Sequence, residues 1–139
     1  MNQIIKNIIL GFIGGIFYYC IELIYKGGHS HWSMFILGGI CFVIIGYENE
    51  FFKWETPIWK QATIGAIIVT VLEFITGCVV NIWLGWNVWN YSELPLNIGG
   101  QVCLPFTIIW FFISILAIIL DDYLRYWLFG EEKPHYVLF

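Results

Sequence analysis

Four long apolar stretches, separated by short polar breaks, decide what this chain can become: 4–25, 32–51, 58–84 and 102–128. Each reaches the about 20 mostly apolar residues that a helix needs to cross a bilayer. Backbone N–H and C=O groups cannot stay unpaired in hydrocarbon, so only helices and closed barrels cross it. No stretch shows the two-residue alternation of a barrel strand. The reading is therefore all-α: one polytopic membrane domain over residues 1–139, with four transmembrane helices. Composition agrees, with 60% hydrophobic and 12% charged residues, against about 45–50% and about 25% in soluble domains. Six basic and ten acidic residues cannot cover a water-facing surface. The lipid bilayer is the expected partner. A net charge of −4 leaves no place for nucleic acid, whose phosphates call for clustered Lys and Arg.

Punctuation between the stretches fits this plan. Lys26-Gly27-Gly28-His29-Ser30-His31 reads as a tight turn, and Pro57 is placed to start the third helix. Pro105 falls in the first turn of the fourth, where a missing N–H is tolerated. Lys and Arg in short loops set orientation. One side carries Lys6, Lys53, Lys60, Arg125 and Lys133, and the other carries Lys26 alone. Both termini are thus expected in the cytoplasm, with the protein in the cell membrane. Trp83, Trp86, Trp89 and Tyr91 would anchor the outer headgroup layer. Trp54, Trp59, Tyr123, Tyr126 and Trp127 would anchor the inner one. The N-terminal apolar run has no small-residue cleavage site and reads as a retained helix.

The first and third stretches echo each other. Ile13-Gly14-Gly15-Ile16 leads to Glu22, and Ile64-Gly65-Ala66-Ile67 leads to Glu73, at a constant offset of 51. Gly11 then matches Ala62, and Trp32 matches Trp83. Two tandem helical hairpins follow, a parallel 2+2 pseudo-repeat about the membrane normal.

Glu22 and Glu73 are the residues most costly to explain away. An ionised side chain at the bilayer centre costs about 2.5–3.5 kcal/mol on insertion scales, so such groups turn toward the bundle interior. Gly11, Gly15 and Glu22 share a helix face, as do Ala62, Ala66 and Glu73. Small residues four apart mark close helix contact. Asn81, two turns past Glu73, is expected on the same face. Three readings stay open: carboxyls that fix packing, a pair that binds or relays a cation or proton, and a pair high enough to reach the outer headgroups.

Other chemistry is thin. Cys20, Cys41, Cys78 and Cys103 form no CxxC pair and read as buried thiols. His29 and His31 lack the fixed ligand set of a metal site, so neither a metal nor a cofactor is expected. Asp121 and Arg125, four apart, read as an ion pair on a solvated helix end, and Glu48-Asn49-Glu50 as another solvated end. No GxSxG, HExxH or phosphate-binding glycine loop occurs, so no enzyme is expected.

The segment Trp89-Asn90-Tyr91-Ser92-Glu93-Leu94-Pro95-Leu96-Asn97-Ile98-Gly99-Gly100-Gln101-Val102-Cys103-Leu104 resembles the signature of a bacterial membrane family catalogued as "Putative ABC-transporter type IV". That signature is Trp-Asp-Tyr-Ser, then Pro-x-Asn, then Gly-x-x-Cys-Leu. Trp89, Tyr91, Ser92, Pro95, Asn97, Gly100, Cys103 and Leu104 match it. Asn90 stands where an acid is common, and Gln101 where a basic residue is common. The resemblance covers about the second half of the chain and is also to short members carried by phages or prophages. It implies a permease-like transport component. Four short helices enclose little volume, so a homo-oligomer or a partner membrane protein is expected. A holin-like or structural membrane protein without transport activity is the alternative class.

Overall fold

The computed structural model describes residues 2–25, 28, 31–47, 56–134 and 136. The chain is mostly helical. Helix α1 spans Gln3–Tyr25, α2 spans Trp32–Gly46, α3 spans Ile58–Gly77 and α4 spans Leu104–Phe129. Three stretches are long and apolar enough to cross a membrane: Gln3–Ile24, Ile58–Trp83 and Leu104–Phe129. At about 1.5 Å per residue these match or exceed the ~30 Å hydrocarbon layer. The 15 residues of α2 rise only about 22 Å. The rest of the second expected span, 48–51, lies outside the described residues.

The helix surfaces carry the signature of lipid as solvent. Ile4, Ile8, Phe12 and Ile16 line one face of α1 at four-residue steps and are all exposed. Ile67, Val71, Phe74 and Ile75 do the same on α3, and Ile108, Phe112 and Leu116 on α4. Patches of this extent are not left to water.

Helix α2 is the centre of the bundle and touches the other three helices. One face of it is buried because glycines let its neighbours approach. A methyl group on Gly39 would sit 2.6 Å from the Gly11 carbonyl oxygen, and one on Gly38 would meet Tyr18. From α1, Gly14 lies against Phe42 and Gly15 against the Phe35 backbone. This is the close crossing that small residues permit in membranes. Met34, Leu37, Cys41 and Ile45 of α2 then form the core with Ala66 and Val69 of α3 and with Trp110 and Ile118 of α4.

Two boundaries differ from the sequence reading. Helix three does not run regularly to residue 84: after Gly77 the chain widens into a π-helical turn, Cys78–Trp83. Helix four does not begin at Val102. Val102 and Cys103 form a short strand β2 that pairs with β1, Asn97–Ile98, antiparallel in the register Asn97↔Cys103 and Ile98↔Val102. Helix α4 starts at Leu104, because Pro105 at its second position has no N–H to offer a ladder.

The charged end was not the solvated one expected. Asp121, Asp122 and Arg125 of α4 are all buried. Arg125 Nε donates to Asp121 Oδ2 at 3.0 Å. Gly46, the last residue of α2, packs directly on the Asp121 carboxyl. Gly130 turns the chain with φ of 66°, and Glu131 comes back beside Lys6 at 3.3 Å and Arg125 at 3.7 Å. Tyr136 donates to Asp122 Oδ2 at 2.8 Å. Burial, then its bond to Asp122, raises the Tyr136 phenol well above its ordinary range, so it stays a donor. The chain's own tail folds back onto this end, which sequence spacing could not reveal.

All four cysteines are free: Cys41 and Cys103 are buried, Cys78 is half-buried and Cys20 is exposed. His31 is the N-cap of α2, its Nδ1 accepting from Ser33 N at 3.1 Å. His29 and Glu48-Asn49-Glu50 lie outside the described residues.

Candidate functional site

Glu73 sits on the buried face of α3 with Ala62, Ala66 and Val69, and only 4% of its surface is exposed. The three-and-four spacing 62, 66, 69, 73 places all four on one stripe. Two neutral donors hold the carboxylate. Trp110 Nε1 of α4 donates to Oε1 at 3.2 Å, and the Tyr91 hydroxyl, from the loop after α3, donates to Oε2 at 3.0 Å. Burial, then the neighbouring Glu73, raises the Tyr91 phenol well above its ordinary range. Tyr91 therefore keeps its proton and stays a donor.

Glu22 is half-buried near the end of α1. Its Oε1 accepts from the Tyr18 hydroxyl, one turn earlier, at 2.7 Å. The Tyr18 ring lies 5.7 Å from the Trp110 ring, and the Phe106 ring stacks on Tyr91 at 4.7 Å. Each glutamate is thus held by a hydroxyl from one aromatic cluster, in which Trp110 bonds Glu73 and lies beside the Tyr18 ring. An aromatic network of this kind adds packing energy beyond its area while supplying hydrogen-bond donors.

Asn81 is not brought to this cluster. It lies in the π-helical turn, where the wider ring changes the direction in which residues past Gly77 point. Its Oδ1 accepts from Val88 N at 2.7 Å, and its Nδ2 donates to Gln101 Oε1 at 2.8 Å. Asn81 is a strut for the outer loop. Asn81→Ala leaves the Val88 N–H and the Gln101 Oε1 without these partners, at about 1–3 kcal/mol. Faster hydrogen exchange across 85–101, with α1 and α2 unchanged, is the expected readout.

The signature residues build that loop from within. Asn97 does the most: Nδ2 donates to Leu94 O at 2.9 Å and to Ser92 O at 3.3 Å, and Oδ1 accepts from Gly100 N at 3.1 Å. Tyr91 N donates to Gly100 O at 2.8 Å. Gly100 has φ of 72°, a left-handed conformation that a side chain disfavours. Trp89 is buried, and its Nε1 donates to Gln101 O at 2.9 Å. Gly77 makes room for this by packing against Gln101 and Trp89, where any side chain would collide. Cys103 is 2% exposed, and its carbonyl accepts from Thr107 Oγ1 at 3.1 Å. Pro95 and Ser92 are exposed on the turn.

A model of the family described as "Putative ABC-transporter type IV" matches residues 8–131. The chain belongs to this family. The match extends well beyond the signature half and takes in α1 and α2, the helices that carry Glu22 and the glycine crossing. The family and the apolar helices make the chain a multi-pass membrane protein, of a family described as transport proteins. No solved structure matches it.

Glu73-Phe74-Ile75-Thr76-Gly77 also fits the family pattern, but sequence reasoning did not foresee that the signature loop and Glu73 meet in space. They are one: the family tyrosine, Tyr91, ends on Glu73. It missed Trp110, which is 37 residues from Glu73 and has no local signal. Tyr18 was within reach, because a residue four before Glu22 lies on the same helix face.

Proposed function

We propose that this chain is a transporter-like membrane component whose working site is the polar interhelical cluster around Glu22 and Glu73. One observation carries the reading: Glu73 is almost wholly buried among apolar helices, yet it is held by an indole and a phenol, and the described residues around it offer no Lys, Arg or His. A carboxylate kept only for packing is expensive in such a place. One kept to take a proton or a cation needs this kind of neutral support, which positions it without neutralising it.

In this reading the helices form two tandem hairpins with four crossings, related as a parallel pseudo-repeat that pairs Glu22 with Glu73. Helix α1 packs most extensively on α2, and α3 on α4, which supports it. Both termini are cytoplasmic, consistent with the basic residues gathered at the end where Lys6, Arg125 and Glu131 meet. Four helices enclose little volume, so the functional unit is a homo-oligomer or includes a partner membrane protein.

The test is flux. Purified chain in liposomes is expected to pass protons or small cations, and Glu22→Gln or Glu73→Gln to reduce that flux at least tenfold. Unchanged flux in both variants, with folding intact, removes the transport role.

A further inference from the structure

A cavity of about 440 Å³ lies in the cleft bounded by α1, α2 and α4. Helices α1 and α4 hardly touch each other, so the cleft between them stays open along its length. Its rim is made of lipid-facing side chains: Phe17, Ile21, Leu116 and Trp127 are each at least 43% exposed. Its volume lies in the range of pockets that hold small organic molecules.

Glu73 and Ser114 bring polarity to the lining of this apolar space. Ser114, one helical turn past Trp110, is 1% exposed, and its Oγ has no hydrogen-bond partner among the described residues. A buried hydroxyl left unsatisfied beside a cavity is a group awaiting a partner. The rings of Tyr18 and Trp110 line the same space.

These features select a ligand by chemistry. The walls accept an apolar body and exclude a hydrated metal ion. A carboxylate without a fixed counter-charge, in a low-dielectric site, attracts a cation far more strongly than it would in water. Indole and phenol faces add to that attraction. The rim opens to the bilayer, where amphipathic molecules concentrate. We infer that this cavity takes a lipophilic organic cation, entering sideways from the membrane between α1 and α4 with its charge against Glu73. The inference rests on the transport reading of the Glu22 and Glu73 site and names its substrate class.

Tetraphenylphosphonium is the probe. The full chain in lipid nanodiscs is expected to bind it saturably. Glu73→Gln is expected to weaken binding at least tenfold, and Glu93→Gln, on the exposed turn, to leave it unchanged. Ser114→Leu, which adds apolar bulk to the lining and leaves the Glu73 carboxyl in place, is expected to weaken it by a similar factor. It serves as the second arm if Glu73→Gln does not fold.

Absence of saturable binding overturns the proposal. So does equal binding by Glu73→Gln and Ser114→Leu, or equally effective competition by the neutral triphenylphosphine oxide. The two readings fail separately. Glutamate-dependent proton flux without tetraphenylphosphonium binding sinks the substrate class and keeps transport. Glu73-dependent binding without any flux sinks transport and keeps the site.

Discussion

Replacing Arg125 with Met is expected to destabilise the protein by about 3–5 kcal/mol, the cost of leaving one partner of a buried ion pair behind. Asp121 is 0% exposed, and the contact of its Oδ2 with Arg125 Nε is its charged interaction at 3.0 Å. Its other oxygen, Oδ1, faces Gly46 and has no hydrogen-bond partner among the described residues. Without the guanidinium the carboxyl keeps its full desolvation penalty and loses its compensation. Glu131 loses a contact at 3.7 Å as well, so the tail that folds over this end is released. Thermal unfolding in detergent measures the loss, and cleavage of the tail by added protease measures the release. The double variant Asp121→Leu with Arg125→Met is expected to recover most of the stability, because an apolar pair of similar volume is often as good as a buried ion pair. A single variant as stable as the parent would show that the pair contributes nothing.

Gly39→Leu is expected to prevent α1 and α2 from docking. The first carbon of any side chain at this position would lie 2.6 Å from the Gly11 carbonyl oxygen and 3.3 Å from its carbonyl carbon. Those atoms are backbone and cannot rotate away, so the helices must separate. Overpacking usually costs about 1–3 kcal/mol when side chains can yield, and here they cannot. Gly39→Ala is expected at or above the top of that range, with Leu beyond it. Ile40→Ala, on the exposed face of the same helix, is the control and is expected within about 0.5 kcal/mol. Size-exclusion profiles and melting temperatures read the difference. Separating α1 from α2 also displaces Tyr18, which packs on Gly38 and holds Glu22. Glutamate-dependent flux should therefore fall with stability in this series.

That this is a helical membrane protein could be read along the chain. Apolar length and the mismatch between composition and any wet surface are one-dimensional properties, and a bilayer responds to them directly. The stripe of Ala62, Ala66 and Glu73 was legible for a similar reason: the helical period alone puts those residues on one face, and a carboxyl cannot face hydrocarbon cheaply. Within the loop, Asn97 and Gly100 were legible as matches to the family signature, and the structure gives the reason: a side chain that bonds the local backbone and a left-handed turn.

What the pattern could not carry was rotation and approach between helices. Asn81 was assigned to the glutamates by counting 3.6 residues per turn, and a π-helical turn broke that count. Trp110 meets Glu73, and Tyr91 reaches down to it, only because the bundle brings α4 and the outer loop against one face of α3. Asp121 and Arg125 looked solvated because the helix end is polar in sequence. Gly46 and the returning tail bury them. Burial of a polar group depends on what lands on it from elsewhere in the chain, and no periodicity within its own helix records that.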